Sequence, residues 1–185
     1  ALFDENDVED KLNKLENMLL PSDSDLGTFI GRFFSSLQDV ASSPDELSAR
    51  TVALENGKAL ANSFNNYDNQ LKNLKSSTHN EIDNDLKVVN SLVDQLAQVN
   101  KLIMSGGSKN SSPDILDARD QLLLDLSKYM NFTVDYGDSN DAIIRLGNSG
   151  NGKILLEKTE VSVLSSSIQE GRLIFNISRN AINSM

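Results

Sequence analysis

The sequence predicts an α+β protein that is mainly α-helical: an elongated helical bundle with one long coiled-coil-like helix, followed by a small antiparallel β-rich domain. Apolar residues recur at helical spacing through the first 130 residues, and between 44 and 104 they keep a period close to seven. After residue 131 the apolar period becomes two, and glycine, serine and asparagine separate short apolar runs. We therefore expect a rod-like helical domain over 1–130 and a small β-rich domain over 131–185, whose completeness the sequence leaves open.

Four helices are predicted in the first domain. The first covers 7–20 and the second covers 25–42, each with apolar residues at intervals of three and four. The second ends before Pro44, because proline cannot continue a helix. The fourth covers 113–130 and has Pro113 at its first position, where the missing N–H costs no hydrogen bond.

The third helix is predicted over 44–104, with Ser43 as its N-cap, Pro44 at its first position and Glu46 completing a capping box. Two helices broken near Ser77 are an open alternative. We prefer one helix, because the apolar pattern keeps its register on both sides of that point. Such a helix would be roughly 90 Å long at ~1.5 Å per residue. Its two apolar lines contain Leu54, Ala61, Asp68, Lys75, Ile82, Val89, Leu96 and Ile103, and Gly57, Phe64, Leu71, Thr78, Asp85, Leu92 and Val99.

Large apolar residues on these stripes are predicted to form the helix-packing core: Phe33, Leu37, Leu54, Phe64, Leu92 and Leu96. The long helix bears more apolar stripe than three shorter helices can cover, and uncovered apolar patches seek partners. We therefore expect weak self-association through Leu71, Ile82 and Val89.

The fourth helix carries a dense charge cluster in which Arg119 is surrounded by aspartates. One interpretation is an exposed surface ion pair, which contributes little to stability. The other is an ion pair between this helix and the long one, with Asp117, Arg119 and Asp120 as its candidates.

Five strands are predicted in the second domain, over 132–136, 142–146, 153–157, 160–164 and 173–177. The linker between the second and third strands resembles a phosphate-binding loop, because Gly147, Gly152 and Lys153 have the required spacing. Ile154, however, occupies the position of the Ser or Thr that holds Mg²⁺, and it begins an apolar run typical of a strand. We interpret the linker as a hairpin turn, and a nucleotide-binding protein through residues 147–153 is the disfavoured alternative.

Composition excludes several functional classes. The chain has 27 acidic and 17 basic residues and a net charge of −10, which repels nucleic acid and anionic membranes. It has no cysteine and one histidine, His79, so that disulfides, thiol catalysis and zinc–thiolate sites are excluded. No pattern of catalytic residues is recognisable, and we expect no enzymatic activity, no cofactor, no metal, and neither nucleic acid nor membrane as a partner.

Three stretches carry a family resemblance: "RFFSSLQDVASSPDELSARTVALENGKALANSF" at 32–64, "NEIDNDLKVVNSLVDQLAQVNKLI" at 80–103 and "SPDILDARDQLLLDLSKYMNFTV" at 112–134. Their combination of Phe-Phe, Ala-x-x-Pro, Ala-Arg and Asp-x-Arg-Asp at these separations resembles the bacterial flagellar hook-associated protein 1 family. The resemblance implies that the chain is a middle fragment of such a protein.

The resemblance also implies a function. It implies an extracellular structural subunit of the flagellum at the junction of hook and filament, exported by the flagellar type III apparatus without a cleaved signal peptide. Its implied partners are copies of itself, the hook protein and the second junction protein. A helical sensory or ligand-binding module is the alternative from another functional class, because a long heptad helix occurs in both.

Overall fold

The structure is a computed structural model, and it describes residues 5–19, 25–106 and 112–179. It is mainly helical with a five-stranded antiparallel sheet, as predicted. The elements in chain order are α1 (Glu5–Leu19), α2 (Leu26–Ser42), α3 (Leu47–Gly106), α4 (Pro113–Ser127), β1 (Phe132–Tyr136), β2 (Ala142–Leu146), β3 (Ile154–Glu157), β4 (Glu160–Gln169) and β5 (Arg172–Arg179).

α3 is one continuous helix of 60 residues, so the preferred single-helix prediction is confirmed. Its start was predicted wrongly, since the helix begins at Leu47 and Pro44 lies in a turn before it. Ser43 ends α2 by donating its N–H to the carbonyl of Asp39 at 3.0 Å. The carbonyl of Ser43 accepts the Glu46 N–H at 3.1 Å, and residues 44 and 45 form a turn that precedes α3 and is not part of it.

The chain divides into two compact units, and their boundary lies inside α3. The first unit is Asn6–Thr78, and the second unit contains the chain from His79 onward. The second half of α3, α4 and the sheet contribute to one hydrophobic core. The expected domain boundary at residue 130 therefore does not separate two cores, although the change from helix to strand does occur there.

In the first unit, α2 packs on a face of α3 made mostly of small residues. A Cβ on Gly57 would lie 3.2 Å from the ring of Phe33, and Asn56 Nδ2 donates to the carbonyl of Arg32 at 3.4 Å. The less exposed face of this half contains Ala49, Ala53, Asn56, Leu60, Ser63 and Tyr67.

The predicted core of this unit needs correction. Phe33 is half-buried, but Leu37, Leu54 and Phe64 are exposed by 41%, 59% and 51%. Small side chains allow the backbones of two helices to approach closely, so the face that contacts α2 is not the most apolar one.

In the second unit, the buried face of α3 follows a heptad of intervals four and three. Its members are Ile82, Leu86, Val89, Val93, Leu96, Asn100 and Ile103, each less than 4% exposed. Leu96 is buried as predicted, and Leu92 packs at the edge of the same core. Ile82 and Val89 were predicted to mediate self-association; this is wrong, because both are buried in the core of this unit.

The sheet is a meander with the strand order β1-β2-β3-β4-β5, and every neighbouring pair is antiparallel. The linker between β2 and β3 is the predicted hairpin turn, with Gly147 at φ 80° and Gly150 at φ 71°. A Cβ on Gly152 would lie 1.7 Å from the carbonyl oxygen of Leu146, so only glycine fits. Lys153 leads into strand β3, whereas a phosphate-binding loop would lead into the N-terminus of a helix.

Candidate assembly surfaces

The first half of α3 carries an exposed apolar surface, which we call the α3 stripe. It consists of Leu47, Leu54, Phe64 and Leu71, which are exposed by 76%, 59%, 51% and 49%. At 3.6 residues per turn these four positions occupy roughly a third of the helix circumference. Phe64 and Leu71 lie on the same heptad line as Gly57, which Phe33 of α2 approaches, so the stripe overlaps the side of α3 that faces α2 and yet keeps about half of each apolar side chain exposed.

A groove continues the α3 stripe at the start of α2. Its volume is about 560 Å³, and its apolar walls come from Leu26, Phe64, Tyr67 and Leu71. Asp25 and Asp68 also line it: Asp25 accepts the Thr28 N–H as the N-cap of α2, and Asp68 pairs with Lys72 at 2.6 Å. The groove therefore suits an apolar segment of a partner.

α2 adds a smaller apolar surface. Phe34 is 59% exposed, and its ring packs edge-on against Phe33 with 5.7 Å between the ring centroids. Phe33 in turn contacts Gly57 of α3, so Phe34 is supported by the contact between the two helices.

In the second unit, two asparagines of α3 hold the sheet through its backbone. Asn90 donates to the carbonyl of Leu164 at 2.8 Å and accepts its N–H at 2.9 Å. Asn100 makes the same pair of hydrogen bonds with Ala142, and its Nδ2 also donates to the carbonyl of Lys158 at 2.8 Å. A side-chain amide thus pairs with the strand as a neighbouring peptide group would.

A third polar contact of the same helix reaches β4, since Ser166 donates its hydroxyl hydrogen to Asp83. The sequence analysis did not predict these roles of asparagine. The available signal was Asn100 itself, a polar residue at a position where the heptad requires an apolar one.

Arg119 is only 7% exposed and joins α4 to the turn between β1 and β2. Its Nη2 lies 2.8 Å from Asp120 Oδ1, its Nη1 donates to the carbonyl of Asn140 at 3.2 Å, and its guanidinium carbon lies 4.7 Å from the ring centroid of Tyr136. The predicted ion pair between α4 and the long helix is wrong, because Arg119 pairs with Asp120 of α4 itself. The other contacts of the guanidinium are with the Asn140 carbonyl and the Tyr136 ring. Asp117 is exposed.

At the C-terminal end of α4, Asp125 and Lys128 shift each other's pKa. The Lys128 ammonium donates to Asp125 at 2.7 Å and, together with the Gln121 amide, lowers the pKa of Asp125. The same hydrogen bond raises the pKa of Lys128.

Within residues 5–19, 25–106 and 112–179, no group of His, Asp and Glu side chains is arranged to hold a metal ion. In the same ranges, none of the helices combines the length and the apolar character that a membrane crossing requires. The arrangement offers apolar packing surfaces on a scaffold joined by buried hydrogen bonds.

Comparison with known proteins agrees with this picture. The chain is 28% identical over 142 residues to flagellar hook-associated protein 1 of Salmonella typhimurium and 33% identical over 130 residues to that of Bacillus subtilis. These matches cover 75% and 69% of this chain and 26% of each relative, so the chain spans about a quarter of the length of the curated relatives it matches.

A solved structure has the same fold. The flagellar hook junction protein FlgK of Burkholderia pseudomallei superposes with a TM-score of 0.77 at 25% sequence identity, over 90% of this chain and 30% of the other. The family model of the flagellar hook-associated protein FlgK helical domain matches residues 12–180. Because that match covers most of the chain, the chain belongs to the family of the FlgK helical domain.

Proposed function

We propose that this protein is a non-enzymatic structural subunit of the bacterial flagellum that joins hook to filament and acts by self-assembly and packing. Membership in the FlgK helical-domain family supports the flagellar role. The observation that carries the packing role is the α3 stripe, because four large apolar side chains exposed on one helix favour burial against another protein.

The two units contribute differently to this role. The second unit buries its heptad against α4 and the sheet, so it acts as a preformed scaffold. The first unit keeps the α3 stripe and the groove beside Leu26 available for contact. Leu71 belongs to both surfaces, and we retain it as a self-association contact.

The partners we propose are copies of this protein and the neighbouring axial proteins, namely the hook protein and the second junction protein. The proposed location is the extracellular flagellum, reached through the flagellar type III apparatus without a cleaved signal peptide. An extended apolar stripe suits contacts between stacked subunits, since helix-in-groove binding uses anchors on one helix face.

The experiment replaces the stripe in the whole gene product and measures swimming and filament number in cells that lack their own copy. We expect the double variant Leu54→Glu, Leu71→Glu to be exported but to form few or no filaments. Leu102→Glu is the matched control, because Leu102 is also exposed, by 54%, on α3 outside the stripe. Normal filaments in the double variant would contradict the proposed packing role of the stripe.

A further inference from the structure

Two identical tripeptides lie in different structural settings. The sequence Asn-Gly-Lys occurs at 56–58 and again at 151–153, and glycine follows asparagine nowhere else in the chain. The first tripeptide lies inside α3, and the second lies in the turn between β2 and β3. Because the residues are the same, any difference in their reactivity comes from the fold.

Asparagine followed by glycine is chemically labile. The backbone nitrogen of the following residue can attack the side-chain amide of the asparagine, because a reaction within one chain needs no encounter between molecules. A following glycine hinders this attack least, since it has no Cβ and its backbone adopts many conformations. In an unfolded chain both tripeptides are therefore open to this reaction.

In α3 the fold opposes the reaction. Gly57 lies inside the helix, where each backbone N–H donates to the carbonyl four positions earlier. The side chain of Asn56 is also held, because its Nδ2 donates to the carbonyl of Arg32 at 3.4 Å. The Gly57 nitrogen and the amide carbon of Asn56 meet only when this part of α3 opens locally.

In the turn between β2 and β3 the fold favours the reaction. Asn151 is exposed, and it lies outside both strands, as Gly152 does. The Ser149 hydroxyl donates to Asn151 Oδ1, and this hydrogen bond stabilises the charge that develops on the oxygen during attack. Gly152 is required here, because the carbonyl oxygen of Leu146 lies only 1.7 Å from where a Cβ would be. The turn therefore keeps a reactive pair at the protein surface.

We infer that Asn151 is a site of spontaneous deamidation and that Asn56 is not. The Gly152 nitrogen gives up its proton and bonds to Cγ of Asn151, while the bond from Cγ to Nδ2 breaks and Nδ2 takes up a proton and leaves as ammonia. The product is a cyclic imide. Water then opens the imide at either carbonyl, because its hydroxyl joins the carbon and its other hydrogen returns to the nitrogen. The final products are aspartate and isoaspartate.

The two products change the turn differently. Aspartate adds a negative charge and keeps the backbone, whereas isoaspartate also lengthens the backbone by the side-chain methylene. The N–H of Leu146 donates to the carbonyl of Lys153 at 3.0 Å and closes the turn, so the added length acts on this hydrogen bond. The inference does not depend on the proposed function, because deamidation is measured on the purified protein alone.

Peptide mapping by mass spectrometry tests the inference. The folded protein is kept at mildly alkaline pH, and the conversion of amide to acid is followed at both tripeptides. We expect Asn151 to be converted at least about tenfold faster than Asn56, which reacts only after local opening of α3. A methyltransferase specific for isoaspartate should label the peptide that contains residue 151. In urea the two rates should agree within about threefold, because unfolding removes the structural difference.

Two variants sharpen the test. Ser149→Ala should slow the conversion of Asn151 by at least about twofold, because the hydrogen bond to Oδ1 is lost. Asn151→Ser is the control for the label, since it removes the amide and should abolish labelling of this peptide. Equal rates at Asn56 and Asn151 in the folded protein would overturn the inference. A rate difference that persists in urea would overturn it as well, because the fold would then not be its cause.

Discussion

Asn100 and Ala142 exchange two hydrogen bonds across the interface of α3 and the sheet: Asn100 Nδ2 donates to the carbonyl of Ala142, and the N–H of Ala142 donates to Asn100 Oδ1, both at 2.8 Å. Asn100 is fully buried at a heptad position between apolar neighbours. The amide therefore fixes the position of the sheet along the helix axis. Apolar contacts alone do not specify this position, because they are not directional.

We predict that Asn100→Leu destabilises the second unit by about 2–5 kcal/mol, because it removes three hydrogen bonds and leaves the buried N–H and carbonyl of Ala142 without their partner. Urea unfolding followed by circular dichroism measures the effect. Asn84→Leu on the exposed face of the same helix is the control, and it should change the free energy of unfolding by less than about 0.5 kcal/mol. A loss below about 1 kcal/mol for Asn100→Leu would show that the amide is dispensable.

Two glycine-to-alanine substitutions should change the free energy of unfolding in opposite directions. Gly152→Ala places a Cβ against the carbonyl oxygen of Leu146 and should cost more than about 2 kcal/mol, since the β2–β3 turn must rearrange. Gly31→Ala lies inside α2 with no atom within 4 Å of the new Cβ, and it should stabilise the protein by about 0.5–1 kcal/mol. Thermal unfolding of both variants checks the pair, and a shift of the same sign in both would contradict the contacts described.

Leucine-to-alanine substitutions at a buried and at an exposed position of α3 should differ in their cost to stability. Leu96→Ala should cost about 2–5 kcal/mol, because Leu96 is fully buried. Leu54→Ala should cost less than about 1 kcal/mol, because 59% of Leu54 is exposed. Chemical denaturation of the isolated chain measures both, and comparable losses would mean that Leu54 is buried in solution.

The pKa of Asp125 should depend on Lys128. Since the folded pKa of Asp125 is lowered, its contribution to stability is present above the ordinary carboxyl pKa and is lost as the pH falls through the lowered value. Lys128→Met should raise the pKa of Asp125 toward its ordinary range, which NMR titration of the carboxyl carbon measures. The free energy of unfolding at neutral pH should barely change, because both groups are at the surface. An unchanged pKa of Asp125 would show that Lys128 is not its main partner.

Local patterns predicted the elements well, because each depends on neighbours in the chain. Alternation over 132–136 and the apolar run over 142–146 placed β1 and β2 to the residue. The strand predicted at 160–164 continues to Gln169, because three serines interrupt its apolar pattern while β5 still pairs with them.

Tertiary partners were harder to predict, because hydrophobicity indicates that a face is buried but not against what. Ile82 and Leu54 belong to the same predicted line, yet Ile82 is buried in the core of the second unit while Leu54 is exposed. Arg119 was identified as a paired cation, but its contact with Tyr136 and the Asn140 carbonyl depends on a turn brought there by the sheet.

The third hydrogen bond of Asn100 bears on how the second unit folds. Ala142 follows the turn between β1 and β2, whereas Lys158, at φ 57°, lies in the turn between β3 and β4. One amide thus needs two separate hairpins in place before all its bonds are made. A partly folded chain with only one hairpin in place would bury the Asn100 amide while one of its hydrogen bonds is missing. Such an intermediate is therefore hardly more stable than the unfolded chain. We expect the two hairpins and the second half of α3 to form in one cooperative step, with a single exponential phase in refolding kinetics.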